Sequence, residues 1–120
     1  MPHHFHKHYT LEEARSLLPQ VRRWLQRLTV LRAEIREHDE KLEELVEPGR
    51  DLGGDRVNRW VRSLAELKAV LAEFYEREIQ IKDLDRGLID FPSLRQGEEV
   101  FLCWEQGEDD IEFWHELEAG

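Results

Sequence analysis

The apolar positions of the first two thirds of the chain recur in alternating steps of four and three. Leu17, Val21, Trp24, Leu28, Leu31, Ile35, His38, Leu42 and Leu45 form one series. Val57, Trp60, Leu64, Leu67, Leu71, Phe74, Glu78 and Ile81 form a second. A mean step of about 3.5 residues keeps each series on one stripe of a helix and makes that stripe a seam for a partner helix. The first series predicts a helix over 10–46, opened by Thr10 and Glu13 as a capping box, each side chain satisfying a free N–H of the first turn. Pro19 lacks an N–H and meets the carbonyl four residues back, so a kink, or a short first helix ending near Leu18, is expected. Glu47-Pro48-Gly49 through Gly53-Gly54 breaks the pattern, and the second series predicts a helix over 55–81. So short a break makes the helices antiparallel, with Leu42 opposite Trp60, Ile35 opposite Leu67, Leu28 opposite Phe74 and Trp24 opposite Glu78.

Beyond residue 82 the period changes to two. Leu88-Ile89-Asp90-Phe91 reads as a short strand closed by Pro92. Arg95-Gln96-Gly97-Glu98 is a turn, and Glu99 to Trp104 is the strongest strand pattern in the chain, rich in branched and aromatic residues. Gln106-Gly107-Glu108-Asp109 turns again and Asp110 to His115 returns. A four-residue loop sets Trp104 against Ile111, Leu102 against Phe113 and Val100 against His115. One face would then hold Val100, Leu102, Trp104, Ile111, Phe113 and His115, and the other Phe101, Cys103, Glu105, Asp110, Glu112 and Trp114.

The expected fold is therefore α+β: a long antiparallel helical hairpin, coiled-coil-like, with a small C-terminal antiparallel β-sheet. It forms one domain over 1–120, with an N-terminal arm at 1–9 and an acidic, β-rich tail at 82–120. The second helix carries a further apolar stripe, Val61, Ala65, Ala72, Tyr75 and Ile79. Two helices alone cannot bury two such faces, so a homodimer through the helices is expected.

Charge sharpens this outline. The chain of 120 residues has a formal net charge of −10. Residues 83–120 hold twelve acids against two bases, whereas the acids and bases of residues 1–82 cancel. A tail this acidic repels phosphate backbones and argues against nucleic-acid binding. No apolar run approaches the roughly eighteen residues of a membrane span, and no signal peptide opens the chain, so a cytoplasmic protein is expected. Cys103, the single cysteine, excludes an internal disulfide and a Cys-rich zinc site.

The tail and the opening resemble a known family. Lys82-Asp83-Leu84, Gly87-Leu88, Asp90-Phe91-Pro92, Gly97, Val100, Leu102-Cys103-Trp104, Gly107-Glu108 and Trp114-His115 are similar to the bacterial proteins grouped as DUF2203, as is Tyr9-Thr10-Leu11-Glu12-Glu13-Ala14. The resemblance spans essentially the whole chain and is specific in the tail. It implies a small cytoplasmic protein without an established activity, sometimes labelled division-related. The resemblance also implies that members often run on past Glu118-Ala119-Gly120 into a short aromatic and Arg-containing extension, before which this sequence stops.

Chemistry is sparse. Ser16, Thr29 and Ser63 fall on helices and Ser93 in a turn, none beside a His–Asp pattern, and no glycine-rich phosphate loop occurs. Cys103 is expected to be a small buried strand residue. Glu78, Asp83, Asp90, Glu105 and His115 are the candidate metal ligands, and carboxylates with one imidazole suit Mg²⁺, Mn²⁺ or Fe²⁺ better than Zn²⁺. The plainer alternatives are ion pairs of Lys82 and Arg86 with Asp83 and Asp85, a turn capped by Asp90, and a backbone bond from His115. Glu78, on the seam, needs a partner such as the Trp24 indole or a turn to solvent. His3, His4, His6 and His8 can also hold a transition metal, although a solvated arm or a cloning remnant is the plainer expectation. The leading expectation is a non-enzymatic dimeric scaffold with no resident cofactor, whose acidic surface offers Trp104 and Trp114 to a protein partner. The alternative is a metal-binding protein or metal-dependent enzyme, and the sequence leaves catalysis open.

Overall fold

The computed structural model describes residues 2–44 and 54–119. Two helices, α1 (Leu11–Glu44) and α2 (Asp55–Glu76), precede four strands, β1 (Gln80–Asp83), β2 (Leu88–Arg95), β3 (Glu98–Glu105) and β4 (Phe113–Glu116). The strands form one antiparallel sheet in the order β1-β2-β3-β4. The fold is α+β, a helical hairpin with a C-terminal sheet. The expected break between the helices and the last turn of the first helix lie outside the described residues. The chain divides into two compact units, one of Met1–Leu25 with Glu73–Gly120 and one of Gln26–Ala72.

In the second unit the two helices run antiparallel and are tied by polar side chains. Arg27 pairs with Glu66, Ser63 donates to Glu34 at 3.4 Å, and an Arg56 guanidinium nitrogen lies 3.3 Å from His38 Nδ1. The last contact accounts for the polar residue in the predicted seam. Leu28 and Leu31 are buried, as the series requires.

The first unit holds the sheet and the start of α1. Thr10 N donates to Glu13 Oε1 at 2.9 Å and Glu13 N to Thr10 Oγ1 at 3.1 Å, closing the capping box. The helix then runs unbroken through Pro19. Proline removes one hydrogen bond, and burial of Ala14, Leu18, Val21 and Leu25 along one face opposes the break. That face is rotated from the predicted seam, since Leu17 and Trp24 are only half-buried.

The second helix ends sooner than the pattern implies. Glu78 adopts φ +58°, a left-handed conformation, and Ile79 N reaches back to the Phe74 carbonyl at 3.0 Å. Gln80 and Ile81 already belong to β1. Trp24 therefore meets Phe74, their ring centroids 5.2 Å apart, with the Arg77 guanidinium over its indole at 5.0 Å. The expected opposition of Trp24 and Glu78 gives way because Glu78 has left the helix.

The sheet shows the decisive departure. β2 continues through Pro92 to Arg95 and meets β3 in a hairpin whose two turn residues, Gln96 and Gly97, both have positive φ, 54° and 82°. Across β3 and β4 the pairs are Cys103 with Phe113, Leu102 with Trp114, Phe101 with His115 and Val100 with Glu116. This is one residue off the expected register, and with a period of two it turns every β4 side chain to the other face. Ile111 explains the shift. It is buried before the strand begins, and its neighbour Asp110 is held by Arg15 at 2.7 Å, so pairing starts later.

The two faces now differ sharply. Ile89, Phe91, Val100 and Trp104 share one face and are buried, Trp104 completely, with its Nε1 donating to the Glu108 carbonyl at 3.0 Å. Arg22 of α1 reaches over that indole at 5.4 Å. The opposite face carries Asp90, Glu99, Phe101, Cys103 and His115.

Candidate functional site

This second face is polar in its middle and covered in part. The N-terminal arm, residues 2–9, covers it at Glu99 and Phe101. Tyr9 N donates to the Pro92 carbonyl at 2.7 Å and Ser93 Oγ to the Tyr9 carbonyl at 2.6 Å, where β2 extends beyond its pairing with β1. His6 N and Lys7 N both donate to Glu78 Oε1 at 2.8 Å. Phe5 packs edge-on against Phe101, centroids 5.5 Å apart. The arm is thus tied to the sheet along its length, contrary to the expectation of a solvated terminus.

Beside Phe101 lies a cluster that three strands assemble. Asp90 comes from β2, Cys103 from β3 and His115 from β4, and one ligand atom from each lies within 4.8 Å of the others. Asp90 is fully buried. Its Oδ1 stands 3.2 Å from His115 Nε2, while its Oδ2 has no hydrogen-bond partner, Lys82 Nζ lying 3.8 Å away. His115 Nδ1 is 2.8 Å from the Glu116 carbonyl, so with Asp90 at Nε2 the ring meets an acceptor on both sides. Burial, followed by the charge and hydrogen bond of Asp90, pushes the Cys103 thiol up to about 11.

A second cluster forms where the arm crosses the start of β3. Glu99, whose side chain is 8% exposed, accepts from His4 N at 2.7 Å, Phe5 N at 3.0 Å and His8 Nε2 at 2.8 Å, with His3 Nδ1 at 3.7 Å. Burial alone would raise this carboxyl, but the His8 bond, the two backbone amides and the charge of His3 outweigh it and hold it at about 2. Both clusters are sets of donors that can hold a divalent metal ion.

The candidate residues from the sequence part company here. Asp90 and His115 come together. Glu78 instead binds the backbone of the arm. Asp83 accepts from Arg86 N at 3.1 Å, and the Arg86 side chain pairs with Glu105 at 2.7 Å, a partner outside the ion pairs expected with Asp83 and Asp85. Lys82 turns to Asp90 and stands over the Phe101 ring at 5.3 Å. Trp104 is core and unavailable to a partner, whereas Trp114 is 45% exposed beneath the Arg95 guanidinium.

Cys103 and Glu99 are not among the ligands expected from the sequence, and His3 and His8 are expected only together with His4 and His6, as a set within the arm. Cys103 was legible only with the correct β3–β4 register, since the expected one puts it opposite His115. Glu99 required knowing where the arm goes, and a terminus carries no periodicity that would say so.

Among the described residues, no helix is long and apolar enough to cross a membrane. Comparison with curated proteins and with solved structures gives no match. The family model for an uncharacterised conserved protein matches residues 7–120, including Asp90, Cys103, His115, His8 and Glu99, and the chain belongs to that family, DUF2203.

Proposed function

We propose that this chain binds a divalent transition metal through Asp90, Cys103 and His115. One observation carries the proposal. His115 Nε2 and Asp90 Oδ1 face each other at 3.2 Å and Nδ1 faces the Glu116 carbonyl at 2.8 Å, so a neutral ring, with one N–H, leaves one of the two contacts without a proton. Two acceptors at that distance require a positive bridge, either a second proton on the imidazole or a metal ion. Ligand atoms about 2.1 Å from one ion at a tetrahedral angle stand about 3.4 Å apart, close to the observed spacing. The partnerless Oδ2 of the buried Asp90 strengthens the argument, because a carboxylate oxygen without a hydrogen bond is costly in the interior.

The donor set narrows the metal. A thiolate joined to an imidazole and a carboxylate favours Zn²⁺ or Fe²⁺ over the Mg²⁺ that carboxylates alone would suit. Binding displaces the thiol proton. Three protein donors leave a fourth position, which is what a metal-activated water would need.

The test is Co²⁺ reconstitution of tag-free protein, followed by absorption spectroscopy and elemental analysis. A thiolate-to-cobalt charge-transfer band is expected in the wild-type chain and absent in Cys103→Ser and His115→Ala. A reconstituted wild type without that band would overturn the site.

A second reading, of dimerisation and partner binding in the cytoplasm, rests on exposed apolar side chains. Val61 and Ala65 of the second stripe of α2 are exposed, and Phe113 and Trp114 of β4 are 61% and 45% exposed. The helix face would serve a second copy of the chain. The aromatic pair, set among acids, would serve a basic partner.

A further inference from the structure

We infer that His3, His8 and Glu99 form a second metal site, suited to a borderline ion such as Zn²⁺, which pins the N-terminal arm to β3. The inference is independent of the Asp90 cluster, from which Phe5 and Phe101 separate it.

Glu99 supplies a prepositioned anion. Its side chain is 8% exposed, and the amides of His4 and Phe5 fix both oxygens. The two imidazoles stand on the same side of it, their rings 5.0 Å apart at 73°. All three ligand atoms lie within 4.8 Å of one another.

The spacing has a gap that an ion fills. His3 Nδ1 is 3.7 Å from Glu99 Oε1, too far for a hydrogen bond. Two donors on one zinc ion stand about 3.4 Å apart, so a small inward movement of His3 completes the contact. His8 Nε2 is closer, at 2.8 Å from Oε2, and donates its proton there. The ion takes the place of that proton and the ring adopts its other tautomer. His3 is 43% exposed and lines, with Pro2, His4, Gly97, Glu98 and Glu99, an open cleft of about 520 Å³. An ion and a completing water can enter there.

Two imidazoles and a carboxylate from segments about ninety residues apart form a chelate that closes only when the arm is docked. The metal therefore stabilises the docked arm over the face that carries Asp90, Cys103 and His115.

Zinc per chain after equilibrium dialysis of the full, tag-free protein tests the inference. Wild type should hold two equivalents and His3→Ala one, with His8→Ala agreeing. His6→Ala should match wild type, because His6 is 97% exposed and outside the cluster. Unchanged zinc in both His3→Ala and His8→Ala, or an equal loss in His6→Ala, would overturn the second site. Failure of the Asp90 site would instead appear as unchanged zinc in Cys103→Ser, so the two failures are distinct. The His3 side chain is 43% exposed, which keeps its variant foldable if His8→Ala is not.

Discussion

A single Cβ is excluded at Gly87. The residue adopts φ +66°, and a Cβ there would lie 2.6 Å from Gln106 Cβ, where Gln106 N bonds the Gly87 carbonyl at 3.0 Å. Strain and contact act together, so Gly87→Ala should cost about 1–3 kcal/mol in urea denaturation. Asp110 offers a charge-based test at the same scale. The Arg15 guanidinium, then the Ile111 amide, hold its carboxyl below the usual aspartate range. A carboxyl depressed in the folded state contributes stability above its unfolded pKa and loses it as pH falls through the folded one. Asp110→Asn should therefore lower the urea midpoint at pH 7, with the difference shrinking towards pH 3. An equal difference at both pH values would remove Asp110 from the account. Among the residues of the two clusters, Asp90 and His115 were legible as an acid in a short strand and a strand-end imidazole. Cys103 was not, because a lone cysteine in a strand says nothing about which side chains share its face.

At the scale of elements, the sheet divides its aromatics between core and surface. Trp104 is wholly buried, and Phe113, on the neighbouring strand, is 61% exposed. Trp104→Ala should cost about 3–5 kcal/mol, the range for deleting a large core side chain. Phe113→Ser should shift stability by no more than about 0.5 kcal/mol, as exposed positions do. A matching loss in both variants would contradict the register described. That register was not readable from β3 and β4 themselves. Either strand alternates well enough to present an apolar face in two ways, and the choice fell to Ile111 and to the Arg15–Asp110 pair on another element. The end of α2 was hidden for a similar reason. Glu78 and Ile81 continue the helical spacing, yet the left-handed turn at Glu78 and the pairing of Gln80 with Asp90 redirect the chain.

For the molecule as a whole, the open question is assembly. Val61 and Ala65, exposed members of the second stripe of α2, mark the face at which a second copy is expected. Sedimentation velocity should show the wild type as a dimer and Val61→Glu/Ala65→Glu as a monomer. A wild type that sediments as a monomer at micromolar concentration would leave that face without a copy to cover it. The excess of acids in residues 83–120 gives that segment a negative field, which favours cationic over anionic groups near it.

The amino-acid sequence by itself determined most of the elements: two helices, the first with its capping box, a sheet-forming tail, and the turn at Gln96-Gly97. These follow from local periodicity and turn chemistry, which act between residues near in the chain. Tertiary structure alone decided which side chains meet. The arm's path over the sheet, the one-residue register of β4 and the early end of α2 depend on contacts between residues up to ninety-five positions apart. Those contacts, and not the ligand types, bring Asp90, Cys103 and His115 into one cluster and His3, His8 and Glu99 into another.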